Sequence, residues 1–253
     1  MTLSAAFLNI PLAHRALHDL AAGRPENSRA AVCAAVDAGL GIEIDLQLSA
    51  DGKPMVFHDY GLERLTAEQG AVRLRDASAL AAVPLMGGDE GIPTLEDILD
   101  LVAGRVPLLV EFKDQDGAMG PDVGALEAAA AELLGRYRGD LAVMSFNPHS
   151  VRALARLLPE VPRGLTTSAY RPDEWPLPAA TCDRLREIPD YADSGSSFIS
   201  HEADDLSRPR VAELKAEGAA VLCWTIRSLA EEEIARQVAQ NVTFEDYLPR
   251  PRP

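Results

Sequence analysis

The sequence predicts an α/β fold, a (β/α)8 barrel with a short insertion after the second strand, in one domain spanning residues 1–253. Three observations carry this expectation. Short apolar strand candidates alternate with helix candidates about eight times. Residues suited to chemistry recur at or just after the strand ends, as barrel sites require: His14, Asp45, Glu111, Ser145, His201 and Trp224. The glycine-rich turn often carried by the competing architecture, a doubly wound open sheet, is absent. At 253 residues and 47% hydrophobic content, the chain can bury a large core.

In chain order, a strand around residues 11–14 precedes Pro25-Glu26-Asn27-Ser28, where Asn27 or Ser28 caps a helix that stops near Gly39. Residues 41–46 form the next strand. Asp51-Gly52 marks a tight turn, and Met55-Val56-Phe57 brings His58 back toward Glu43 and Asp45. After a surface excursion, Thr94 caps a helix to about Val102. Strands are then expected at 107–111, 141–144, 161–165, 197–200, 219–224 and 242–244, with helices near 121–137, 151–158, 209–217 and 229–239. The Pro-rich stretch from Arg171 to Pro178 reads as a loop between units.

Twenty-four basic against 39 acidic residues leave a formal charge of −15. Without a basic tract, a nucleic-acid partner and an anionic membrane surface are both disfavoured. An anionic small substrate stays possible, because a bound divalent ion, Arg15 and Lys113 can reverse the field locally. No apolar run approaches the roughly 18 residues of a spanning helix, and the residues before His14 lack the pattern of a signal peptide. A cytoplasmic protein without stable membrane insertion is therefore expected. Nothing in the sequence specifies an oligomeric state. Cys33, Cys182 and Cys223 are odd in number and far apart, which suits reduced packing thiols rather than disulfides or zinc.

Alternate residues on a strand share a face, so Glu43 and Asp45 project together, as do Glu111 and Lys113. The three carboxylates can converge on one cation, and an all-oxygen set favours Mg2+ or Ca2+ over zinc. Two histidines, His14 and His58, supply proton transfer near neutral pH. Together with Arg15 and Lys113 they form an inventory for metal-assisted hydrolysis of a phosphate ester. The plainer alternative makes Glu43, Asp45 and Glu111 a set of salt bridges at the barrel mouth, with Arg15 and Lys113 as partners. Asp59 either orients His58 or caps the following turn. Trp224 is either core or a substrate contact, and His201 is favoured as non-catalytic.

The ordered series His14-Arg15, Pro25-Glu26-Asn27-Ser28, Glu43-x-Asp45, Asp51-Gly52, Val56-Phe57-His58-Asp59, Ile92-Pro93-Thr94-Leu95-Glu96, Glu111-Phe112-Lys113, Ser145-Phe146 and Trp224-Thr225 resembles the glycerophosphodiester phosphodiesterase family. The resemblance runs almost end to end. It implies a (β/α)8 barrel that hydrolyses a small-molecule glycerophosphodiester to glycerol 3-phosphate and an alcohol, using one divalent cation, Mg2+ or Ca2+. It also implies His14 and His58 as the acid/base pair, Glu43, Asp45 and Glu111 as metal ligands, and Arg15 and Lys113 as cations beside the phosphate. Trp224, by its position at the end of a strand, is added as a candidate substrate contact.

The chain departs from the family at Ala16, where glycine is usual, and in a shortened segment between His58 and Ile92. The Ala16 methyl either crowds the phosphate or shifts the loop. In the final segment, 244–249, the matching acid is left unassigned between Glu245 and Asp246. Recycling of deacylated phospholipid head groups is the leading role. The alternatives are a related lysophospholipid or sphingolipid phosphodiesterase, for which no apolar docking loop is found, and a non-catalytic phosphodiester-binding barrel, which the intact histidines and acids oppose.

Overall fold

The computed structural model describes residues 2–249. Its strands are β1 (Leu12–Ala13), β2 (Gly41–Leu48), β3 (Pro54–Val56), β4 (Leu108–Phe112), β5 (Leu141–Ser145), β6 (Arg163–Thr167), β7 (Phe198–Glu202), β8 (Ala220–Ile226) and β9 (Asn241–Phe244). All but β3 pair in parallel in the order β1-β2-β4-β5-β6-β7-β8-β9, and β9 returns to β1, which closes a (β/α)8 barrel. The open doubly wound sheet is thereby excluded. The short β3 pairs antiparallel with the end of β2, Val56 opposite Leu46, as the Asp51-Gly52 turn predicts.

The helices are α1 (Ala5–Asn9), α2 (Arg29–Asp37), α3 (Ala77–Ala81), α4 (Leu95–Val102), α5 (Ala125–Leu134), α6 (Pro148–Leu157), α7 (Ala179–Arg186), α8 (Pro209–Ala216) and α9 (Leu229–Ala235). Ser28 caps α2 by accepting the Ala31 amide, and Thr94 with Asp97 forms a capping box on α4. Helices α1, α3 and α7 are not among those the sequence predicts. In α1 only Phe7 is buried and in α7 only Cys182 and Leu185, too sparse a pattern to register as a stripe. Strand β6, the fifth of the barrel, begins two residues later than expected, after Pro162, which contributes only its carbonyl, to the Val143 amide.

Strand alternation divides the core in two. Ile42, Ile44 and Leu46 on β2, with Leu108, Val110 and Phe112 on β4, pack outward against Val32, Ala35, Ile98 and Val102 of the helices. Leu12, Leu109, Ala142, Met144, Phe198 and Leu222 form an inner cluster with Phe7 of α1. Asn241 ties α1 to this end by donating to the Phe7 and Ile10 carbonyls at 2.8 and 2.6 Å. Gly41 lets this layer pack closely, since a Cβ there would lie 2.6 Å from the Leu12 side chain and force it to shift. The charged inner positions of β2 and β4, Glu43, Asp45 and Glu111, follow toward the strand ends.

The excursion between β3 and α4 has a small core of its own, built on Met55, Phe57, Leu62, Leu80, Leu85 and Ile92. It is a folded insertion beside the barrel mouth rather than a loose loop.

Candidate active site

The eight residues that the sequence assigns to acid/base, metal-binding and substrate-binding roles all line one cavity of about 170 Å³. His14 and Arg15 follow β1, Glu43 and Asp45 lie on β2, His58 follows β3, Glu111 lies near the end of β4 with Lys113 just after it, and Trp224 lies near the end of β8. These positions are where a parallel barrel displays its functional groups.

Glu43, Asp45 and Glu111 are buried, and one oxygen from each lies within 4.8 Å of the others. Burial, then the neighbouring charges of Asp45 and Glu111, push the Glu43 carboxyl well above the usual range. The Arg15 amide donates to Glu43 Oε2 at 3.0 Å. Burial also penalises ionised Asp45, but Lys113, His58 and Arg15 outweigh it and hold this carboxyl well below its ordinary value. Asn27 clamps Asp45 from two sides, its amide donating to Oδ2 at 2.9 Å and its carbonyl accepting the Asp45 amide at 3.3 Å. Lys113 Nζ stands 2.7 Å from Asp45 Oδ1 and also bonds Glu111. Burial opposes charge on Lys113, yet these two carboxylates raise its pKa, so it stays an ammonium. The salt-bridge alternative is thus realised in part.

Each histidine is held by a carboxylate, and each carboxylate by an arginine. His14 Nδ1 lies 2.6 Å from Glu245 Oε2, and Arg227 pairs with Glu245 Oε1 at 2.6 Å. His58 Nδ1 lies 2.6 Å from Asp59 Oδ1, and Arg64 grips both Asp59 oxygens at 2.8 and 2.6 Å. Asp59 is therefore an orienting partner of His58. Burial lowers the His14 pKa, more than the Glu245 hydrogen bond and charge raise it. Glu245 is itself opposed by burial, but the bonds from His14 and His18 and the charge of Arg227 keep it ionised. Arg64 also reaches Glu26, whose Oε1 accepts from Arg15 at 2.8 Å, so the first loop and the insertion are tied together.

Glu245, which the sequence leaves open against Asp246, carries a local signal. It directly follows β9 two positions after Thr243, so it shares the inward face with that cavity-lining residue. Asp246 falls on the other side of this alternation. Arg64 and Arg227 left no comparable signal, because neither sits in a motif. Ala16 has φ +65°, which accounts for a preference for glycine there, and its buried methyl packs into the barrel–helix layer rather than the cavity. His201 is fully buried between Thr167 Oγ1 at 2.7 Å and Asp205 Oδ2 at 3.2 Å, outside the cavity. Phe146 meets Trp224 edge-on with ring centroids 5.5 Å apart, and both rings line the cavity. Among the described residues, no helix is long and apolar enough to cross a membrane.

Comparison with known proteins gives a consistent picture. YhdW of Bacillus subtilis, a relative named for glycerophosphodiester phosphodiesterase activity, is 29% identical over 226 residues, 86% of each chain. The glycerophosphodiester phosphodiesterase of Caldanaerobacter subterraneus subsp. tengcongensis is 30% identical over 160 residues, 60% of this chain and 65% of that protein. A solved phosphodiesterase of Oleispira antarctica, in complex with the product sn-glycerol-3-phosphate, aligns at TM-score 0.78 and 26% identity, covering 96% of this chain and 94% of that one. The profile of the glycerophosphoryl diester phosphodiesterase family matches residues 14–244. Since that match opens on the cavity's first histidine, closes on the last barrel strand and takes in all eight cavity residues named above, the chain belongs to the glycerophosphoryl diester phosphodiesterase family.

Proposed function

We propose that this chain is a single catalytic domain that hydrolyses glycerophosphodiesters to glycerol 3-phosphate and an alcohol, with His14 and His58 as the general base and general acid. The observation that carries this reading is the meeting, in one cavity, of two carboxylate-held imidazoles and a buried acid triad. The product held by the Oleispira relative supports the substrate class.

His14 suits the base, because burial favours its neutral form at pH 7 and Glu245 fixes the Nδ1 side of the ring, leaving Nε2 to accept a proton. The charge that develops on the imidazole is then balanced by Glu245. His58, with Asp59 on Nδ1, presents Nε2 to the departing alkoxide. Arg15 and Lys113 place positive charge beside the phosphate and lower the repulsion that an anionic diester imposes on an incoming oxygen. Trp224 borders the same space and contacts the substrate.

Glu43, Asp45 and Glu111 fit a hard divalent cation. Three buried carboxylates within 4.8 Å repel one another, and the raised Glu43 pKa marks negative charge that Lys113 alone does not neutralise. They would hold Mg2+ or Ca2+, which when bound supplies Lewis-acid stabilisation of a phosphoryl oxygen. An intracellular role in recycling deacylated phospholipid head groups follows from this chemistry as part of the proposal.

The test is incubation of the protein with several glycerophosphodiesters, with each cation in turn, following release of glycerol 3-phosphate. Release that requires a cation and fails in His14→Ala and His58→Ala is expected. No release from any diester under any cation would overturn the reading.

A further inference from the structure

We propose that Arg64, a residue of the insertion, is a positioning residue for the reaction: it joins the carboxylate that holds His58 to the carboxylate that holds Arg15, and so fixes the proton donor relative to the phosphate. The proposal rests on the hydrolase reading above. The Nε–Nη2 edge of the guanidinium faces Asp59, with Nε donating to Oδ2 at 2.6 Å and Nη2 to Oδ1 at 2.8 Å. Its Nη1–Nη2 end faces Glu26, with Nη1 donating to Oε2 and Nη2 to Oε1, both at 2.8 Å. Four of the five N–H groups are thus committed to two carboxylates. Beyond each carboxylate stands a cavity residue. Asp59 Oδ1 meets His58 Nδ1 at 2.6 Å, and Glu26 Oε1 accepts from Arg15 Nη1 at 2.8 Å. Arg64 itself does not line the cavity, so it acts only through these partners.

A planar fork is needed for this arrangement, because an ammonium is a point charge that can approach either carboxylate but cannot align both. What the bridge supplies is direction rather than stability. The Arg64 side chain is 46% exposed, so solvent screens its ion pairs and they add little to the fold. The backbone beneath it is locked. The Thr66 amide and hydroxyl both donate to the Leu62 carbonyl, at 3.0 and 2.8 Å, and Leu62 is fully buried in the insertion's own core. The Met86 amide donates to the Leu65 carbonyl at 2.8 Å, which closes the other flank. Burial opposes charge on Asp59, but the bonds from His58 and Arg64 hold its carboxyl well below the ordinary value, and it remains an acceptor for the ring. The insertion thereby reaches the chemistry through one side chain.

The experiment compares Arg64→Lys and Arg64→Ala with the unmodified protein on two glycerophosphodiesters, one of an ordinary alcohol and one of nitrophenol. On the ordinary diester kcat should fall roughly 10- to 100-fold in both variants, with KM changed by less than about threefold. On the nitrophenyl ester, whose leaving group departs without a proton, most of that loss should disappear. Glu26→Gln, which leaves Arg64 and Asp59 in place, should show the same dependence on the leaving group. Asp59→Asn combined with Arg64→Lys should be no slower than Asp59→Asn alone, since both changes act on one imidazole. If Arg64→Ala does not fold, Arg64→Lys, which keeps the stem and the charge, carries the comparison. Full turnover in Arg64→Lys would overturn the proposal, because charge alone would then suffice. Equal losses on the two esters, additive losses in the double variant, or a Glu26→Gln protein indifferent to the leaving group would also overturn it. The His58 Nδ1 proton resonance, assigned by its loss in His58→Ala, tests the bridge without substrate and should shift or broaden in Arg64→Lys. If no form of the protein releases glycerol 3-phosphate, the hydrolase reading fails, and this resonance decides the bridge by itself: a shifted signal supports it and an unmoved one sinks it.

Discussion

His14 Nδ1 and Glu245 Oε2 lie 2.6 Å apart although 231 positions separate the two residues in the chain. The contact joins the first barrel strand to the last, so it exists only when the barrel is closed. Glu245→Gln removes the charge that stabilises protonated His14 and leaves an amide of similar size. Turnover should fall roughly 10- to 10³-fold with little change in KM. Glu245 raises the His14 pKa against the larger effect of burial. Its loss should therefore move the acid limb of the kcat/KM profile to lower pH. An unmoved limb with normal turnover would reduce Glu245 to a structural role.

His58 is assigned to the leaving group. His58→Ala should lose about 10²–10⁴-fold on a glycerophosphodiester of an ordinary alcohol and recover most of that on a nitrophenyl leaving group, which departs without a proton. His14→Ala should show no such selective rescue. The comparison of four rate constants checks the assignment, and rescue of His14→Ala instead would exchange the two roles.

Chelation should abolish hydrolysis, and Mg2+ or Ca2+ should restore it. Glu43→Ala, Asp45→Ala and Glu111→Ala should each weaken metal affinity by tenfold or more in a calorimetric titration, because each removes one of three hard donors. Unchanged affinity in all three would favour the salt-bridge reading, in which Lys113 is the permanent partner of Asp45 and Glu111.

Burial lowers the pKa of His201, more than Asp205 raises it. The unfolded chain then binds more protons than the folded one just below the ordinary histidine value of about 6.5, so stability there rises with pH. The contribution is present above about pH 6.5 and is lost as pH falls through the depressed folded value. Urea unfolding from pH 7.5 to 5 should show a steeper acid loss for the unmodified protein than for His201→Gln. Equal slopes would refute the assignment of a neutral buried imidazole.

Much of the site was legible because strand geometry is local. A period of two places Glu43 with Asp45 and Glu111 with Lys113, and the Asp51-Gly52 turn returns His58 to them. The order of β/α units gave the barrel. Helices were read where an apolar stripe was dense, as in α4, and missed where one or two side chains anchor them, as in α1 and α7.

The sequence by itself determined the strand order, the inward face of each cavity-lining segment and the membership of eight cavity residues. Each depends on the periodicity of a short stretch of backbone. Tertiary structure alone decided that Glu245 rather than Asp246 holds His14, that Arg64 joins Asp59 to Glu26, and that Trp224 and Arg227 border two adjoining cavities. Those relationships depend on barrel closure and on the path of the insertion. Each is a contact between side chains far apart in the chain, and no local pattern encodes the distance between them.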